Sequence, residues 1–131
     1  MKKRHFILCA TLLFNLLSVA LFSSCDRDTN SYLDVKVVEK HPITQALMPV
    51  PGAEVEIYQD GGTVNAKGFT GNNGVYSTHF VAPAIVSIRV KLDVYNENGV
   101  RVGERRANGS VRLTEGETKT TQLTLSDQIF Y

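Results

Sequence analysis

Few side chains in this sequence are of a type and spacing that could do chemistry, and Cys25 offers the most. A thiol can attack an electrophile, pair with a second thiol, bind a metal or accept an acyl chain. The other cysteine, Cys9, lies inside a leading apolar run, so beyond Cys25 the chain has no partner for a disulfide and no C-x-x-C site. His5, His41 and His79 are the histidines, and none stands at metal-ligand spacing from another. Ser77-x-His79 puts a hydroxyl and an imidazole on one face of a strand, but without a third group or an oxyanion device it reads as a surface pair. No cofactor site and no catalytic constellation follow from these residues, and the expectation is a protein that is not an enzyme.

A second group is electrostatic. Arg89, Lys91, Tyr95, Arg101 and Arg105 fall on the polar positions of a long two-stranded segment. The alternation predicts that they share one outer face, with Tyr95 opposite Arg101 in reach of a cation–π contact. Such a face could bind an acidic glycan or an acidic patch on a partner; the simpler reading is a solvated sheet face guarded by Lys and Arg.

Cys25 closes the first segment of the chain. Met1-Lys2-Lys3-Arg4-His5 is positively charged, Phe6 to Phe22 is largely apolar, and Ser23-Ser24 are small. That order is a secretory signal. An ordinary signal peptide fits poorly, because Phe22 is bulky where an A-x-A-like site wants a small residue. A retained transmembrane anchor is the other alternative, the apolar run being 17 residues, at the lower limit of about 17 for spanning.

With Leu21-Phe22-Ser23-Ser24-Cys25 the chain resembles a bacterial lipoprotein, Phe22 standing where the family has Leu. The resemblance implies that residues 1–24 are removed and that Cys25 becomes an acylated first residue. Two or three acyl chains would then hold the protein at the membrane, since one chain alone binds only weakly. Asp26 and Asp28 resemble the acidic tag with which some Gram-negative lineages display lipoproteins on the cell surface. An outer-membrane protein, on the periplasmic face or the cell surface, is therefore expected.

Removing 24 residues from 131 leaves 107, enough for one β core without disulfide staples. Lys2, Lys3 and Arg4 leave with the signal, so the formal charge moves from +1 to −2, with 11 basic and 13 acidic residues remaining. That balance carries no electrostatic footprint for nucleic acid. Residues 25–32 form a tether of at most about 28 Å, 33–127 the domain and 128–131 a tail.

The elements that must position these residues are strands. Leu33, Val35 and Val37 alternate with polar residues; so do Ala53, Val55 and Ile57; and from Ile85 to Tyr95 the apolar Val86, Ile88, Val90, Leu92 and Val94 alternate strictly. Met48-Pro49-Val50-Pro51-Gly52 reads as a stiff connector and Asp60-Gly61-Gly62 as a turn. Asn73-Gly74 reads as a hairpin between strands near Val64–Phe69 and Val75–Phe80, and Asn108-Gly109 as a turn before Val111-Arg112-Leu113. For the long hairpin a three-residue loop, Glu97-Asn98-Gly99, places Gly99 in a left-handed conformation and pairs Val94 with Val102. It also keeps Asp93 from facing Glu104, a like-charge pair. A last strand runs from about Glu117 to Leu125. Seven or eight short strands with turns every eight to twelve residues and no helix mean an all-β, antiparallel β-sandwich.

Pro49-Val50-Pro51-Gly52-Ala53-Glu54-Val55-Glu56-Ile57-Tyr58 and Gly68-Phe69-Thr70-Gly71-Asn72-Asn73-Gly74-Val75-Tyr76 resemble carboxypeptidase regulatory-like domains, with Gly71 where the family has Asp. These are transthyretin-like (prealbumin-like) sandwiches related to Cna-B-type surface modules. The resemblance implies a non-catalytic module for adhesion, scaffolding, or protein or carbohydrate binding. Cna-B-type modules can also weld their terminal strands by a Lys–Asn bond; Lys36 and Asp127 are the candidates here, but Lys36 falls on the polar face and reads as a solvated lysine. The function expected is a structural or protein-interaction module of the envelope, the alternative a glycan-binding surface lipoprotein.

Overall fold

A computed structural model describes residues 28–59 and 64–131. Eight strands follow one another: β1 (Ser31–Lys40), β2 (Leu47–Pro49), β3 (Glu54–Gln59), β4 (Val64–Phe69), β5 (Val75–Phe80), β6 (Ile85–Tyr95), β7 (Arg101–Arg112) and β8 (Thr118–Thr124). They make an all-β sandwich of two four-stranded sheets. In the first, β1 pairs antiparallel with β2 and β5 and parallel with β8. Residues 32–36 of β1 are paired on both sides, with β5 on one and β8 on the other. The second sheet is antiparallel throughout, in the order β4-β3-β6-β7.

Period-two alternation decides which face each strand buries. Leu33, Val35 and Val37 from β1 meet Val55 and Ile57 from β3 and Val86, Ile88 and Val90 from β6, all buried. Leu113, Leu123 and Leu125 close the same core. Each side chain of this size contributes about 1.5–3 kcal/mol by leaving water, enough to fix the register of every strand that has one apolar face.

Four sequence expectations are corrected. The Met48–Gly52 connector contains a strand: Leu47, Met48 and Pro49 pair with Lys40, Glu39 and Val38. The Asn73-Gly74 turn forms, but it carries the chain from one sheet to the other, because β4 pairs with β3 and β5 with β1. Gly74 has φ +73°, and a Cβ there would stand 2.8 Å from the Val37 carbonyl oxygen; this is the close approach that a donor–acceptor contact needs, and Val37 N–H donates to the Gly74 carbonyl at 2.8 Å. Asn108-Gly109 is no turn: both residues lie inside β7, opposite Arg89 and Ile88. Gly109 is there because the Leu123 side chain packs where its Cβ would be, 2.6 Å away.

The fourth correction is the register of the long hairpin. Its loop has the expected length, with Asn96 N–H donating to Val100 O at 2.9 Å and Gly99 at φ +74°. Tyr95 then pairs with Arg101, but a bulge follows and Val94 pairs with Gly103, not Val102. Asp93 therefore does face Glu104. The chain end helps to hold this register: Phe130 forms an antiparallel bridge with Glu104, with both N–H···O bonds 2.8 Å long. Gly103 leaves room for it, since a Cβ would lie 2.7 Å from the Phe130 oxygen. The Asp60-Gly61-Gly62 turn lies outside the described residues.

Candidate functional site

The outer face of the second sheet carries the electrostatic residues. Cross-strand pairing lays them in rows: Phe69, Glu54, Lys91 and Arg106 in one, Lys67, Glu56, Arg89 and Asn108 in the next. The bulge decides who belongs. One extra residue in β7 flips everything beyond it to the other side, so Arg106 replaces Arg105 on the outer face. Arg105 pairs with Leu92 and turns inward, its side chain 17% exposed. There it binds Glu39 of β1 and donates to Ser126 O at 2.7 Å, tying the two sheets together. Arg89, Lys91, Tyr95 and Arg101 remain together on the outer face; Arg105 does not.

Charges on this face are shared unequally. Lys67 bonds Glu54 at 3.2 Å and Glu56 at 3.3 Å, and these bonds, Glu54's first, raise its pKa above the ordinary lysine value. The Glu56 carboxylate is then approached by Lys91 at 3.8 Å and Arg89 at 4.0 Å, too long for hydrogen bonds. Arg101 donates to Asp93 at 2.8 Å and to Glu104 at 3.0 Å; the bond to Asp93 is the main reason its pKa is raised. Arg106 also binds Glu104.

The expected cation–π contact between Tyr95 and Arg101 gives way to these ion pairs. Two others form instead. Arg89 stacks 5.5 Å from the centre of the Tyr58 ring and Arg106 4.8 Å from that of Phe130. Sequence reasoning missed Arg106 and Phe130 because only the bulge and the returning chain end bring them to this face.

Two shallow grooves result. One, of about 470 Å³, runs between Phe69 and Tyr95 over Glu54, Lys91, Asp93 and Glu104. The other, of about 460 Å³, is lined by Arg89, Lys91, Arg106, Asn108 and Glu104. They share Lys91 and Glu104 and so form one continuous surface.

The remaining sequence candidates are dispersed. Ser77 donates its hydroxyl proton to Asp34 at 2.6 Å, while His79 lies against Tyr32 with ring centres 6.1 Å apart. His41 accepts from Ile43 N–H and Thr44 N–H through Nδ1, both at 3.2 Å, and so shapes the β1–β2 turn. Lys36 faces Val75 and Gln122, whereas Asp127 lies against Arg105. Cys25 lies outside the described residues, as does the signal segment.

No family model matches the sequence, and no curated protein matches it. Among solved structures, GBS52, the minor pilin of the Gram-positive pathogen Streptococcus agalactiae, is similar with a TM-score of 0.46 and 13% identity. The similarity covers 80% of this chain and 48% of the pilin, so this chain spans about half that protein's length.

Proposed function

We infer that this chain is a non-catalytic lipoprotein module of the cell envelope, held at the outer membrane by acyl chains on Cys25 and offering its far end to a protein partner. The observation that carries this reading is where the exposed apolar side chains gather. β1 starts at Ser31, six residues after Cys25, and runs away from the attachment point. Ser31 pairs with Phe80 and Asn30 receives Gly116 N–H, so these mark the end near the membrane. Lys40, Leu47 and the β6–β7 loop mark the far end.

Ile43, 86% exposed, stands on the turn at that far end, Leu47 is exposed at the start of β2, and Tyr95 and Val100 are exposed at the β6–β7 hairpin. Val81 and Ile85 are exposed at the opposite end, but these four make the larger group among the described residues, and apolar tips so placed suit a protein contact better than a solvated surface. The hydrogen bonding supports a role without catalysis: Ser77 spends its proton on Asp34, not on His79.

Two measurements test the reading. Cells making Cys25→Ser should lose palmitate incorporation and release the protein from the membrane fraction; a wild-type chain that takes up no palmitate overturns the anchoring. Crosslinking of the full-length chain in intact cells should give a discrete adduct that Ile43→Asp with Val100→Asp removes. An adduct pattern untouched by that pair overturns the far-end contact.

A further inference from the structure

We propose that the outer face of the β4-β3-β6-β7 sheet binds a uronate-bearing oligosaccharide, its carboxylate held by Arg89, Lys91 and Arg106 and its sugar rings lying along the groove toward Tyr95.

The cationic end is built to receive an anion. Three cations line one groove and lean on two carboxylates, each of which also serves another cation: Glu56 serves Lys67 and Glu104 serves Arg101. Neither the Arg89 nor the Lys91 side chain makes a hydrogen bond to another described residue, since their approaches to Glu56 are 4.0 and 3.8 Å. The guanidinium carbons of Arg89 and Arg106 lie over the Tyr58 and Phe130 rings, 5.5 and 4.8 Å from their centres. A guanidinium over a ring can still turn an N–H edge to a ligand, and that edge matches a carboxylate in two parallel bonds; Arg106 spends its Nε on Glu104 and has its terminal nitrogens left for this. Asn108 stands exposed in the same groove and can serve a hydroxyl or a ring oxygen.

The adjoining groove decides between sugar and peptide. Past Lys91 the surface presents Glu54, Asp93 and Glu104. A run of consecutive acidic side chains would crowd its charges against three carboxylates there, whereas a sugar chain with one carboxylate on every second ring presents mostly hydroxyls to them. Sugar hydroxyls would donate to the same oxygens. The groove is flanked by two exposed aromatic rings, Phe69 at 63% and Tyr95 at 58%, whose flat faces suit the C–H faces of pyranose rings. Lys91 and Tyr95 are four residues apart on one strand, about 14 Å, so the ligand is an oligomer and not a single sugar. This inference rests on the sheet face alone and is independent of the membrane attachment.

The test is calorimetric titration of the full-length chain in neutral detergent with a hyaluronan hexasaccharide, which carries a carboxylate on every second ring. Saturable binding is expected, weakened at least about tenfold by Arg89→Gln with Arg106→Gln, each loss removing charge-assisted bonds. It should also weaken as salt shortens the Debye length. Tyr95→Ala should weaken the hexasaccharide, and Lys119→Gln, a single charge loss on the other sheet, should change nothing. Should the double variant fail to fold, Asn108→Asp places a negative charge in the groove at an exposed position and must weaken binding likewise. Chitohexaose, which is neutral, and hexaglutamate should bind weakly or not at all. Absence of saturable hexasaccharide binding, indifference to the charge variants, or equal affinity for hexaglutamate overturns the proposal.

Discussion

Asp93 and Glu104 stand directly opposite each other on β6 and β7, two like charges in a cross-strand pair, and Arg101 bonds both of them. Like charges so placed repel, and Arg101, three residues before Glu104, folds back over the pair and offsets that repulsion. Replacing Arg101 with Gln should therefore lower the melting temperature at neutral pH by uncovering the repulsion. The difference should shrink at 1 M salt, where the Debye length falls to about 3 Å. Equal destabilisation at low and high salt would show that Arg101 acts by packing and not by charge.

That same register explains what could and could not be read from the chain. The buried faces of β1, β3 and β6 were legible, because Leu33/Val35/Val37, Val55/Ile57 and Val86/Ile88/Val90 repeat with period two and nothing local competes. The loop length was legible too, since Asn98-Gly99 has one comfortable geometry. The bulge was not, because Arg101-Val102-Gly103-Glu104-Arg105-Arg106 has no alternation from which to count. What sets it lies far away, in the Phe130 backbone. One slipped residue then exchanged Arg105 for Arg106 on the outer face, so the candidate site was legible only in part.

Gly109 shows a local signal overruled by packing. Asn-Gly favours a turn, but Leu123 crosses the strand so closely that only a residue without Cβ fits beneath it. Gly109→Ala should cost about 1–3 kcal/mol by overpacking, and Leu123→Ala about 2–5 kcal/mol by opening a cavity. The two together should cost less than their sum, because the added methyl enters the space that the leucine vacates. Chemical denaturation of the three variants checks this, and strict additivity would separate the two residues.

Thr70 is buried where the chain passes between sheets, and its hydroxyl donates to Val50 O at 2.6 Å while accepting from Ala53 N–H at 2.9 Å. Thr70→Val keeps the shape and removes both bonds, leaving two buried backbone groups without partners. A loss of about 2–3 kcal/mol is expected, whereas Thr70→Ser, which retains the hydroxyl, should lose much less. If Val and Ser prove equivalent in thermal denaturation, the methyl and not the hydroxyl holds this crossing.

Asp28 shapes the turn that leads into β1, three residues after Cys25 in the sequence. Its carboxylate accepts the Tyr32 hydroxyl at 2.8 Å and Asn30 N–H at 3.0 Å. These two bonds, the tyrosine's first, with a smaller contribution from nearby His79, hold its pKa below the ordinary 3.8. A folded-state pKa below the unfolded one means that the stabilisation is fully present above pH 3.8 and is lost as pH falls through the lowered value. Tyr32→Phe removes the largest cause, so the Asp28 carboxyl followed by carbon-detected NMR should titrate at higher pH than in the wild type. Amide exchange at Asn30 should rise in the same acid window. An unchanged titration in Tyr32→Phe would mean that the backbone bond alone sets the turn.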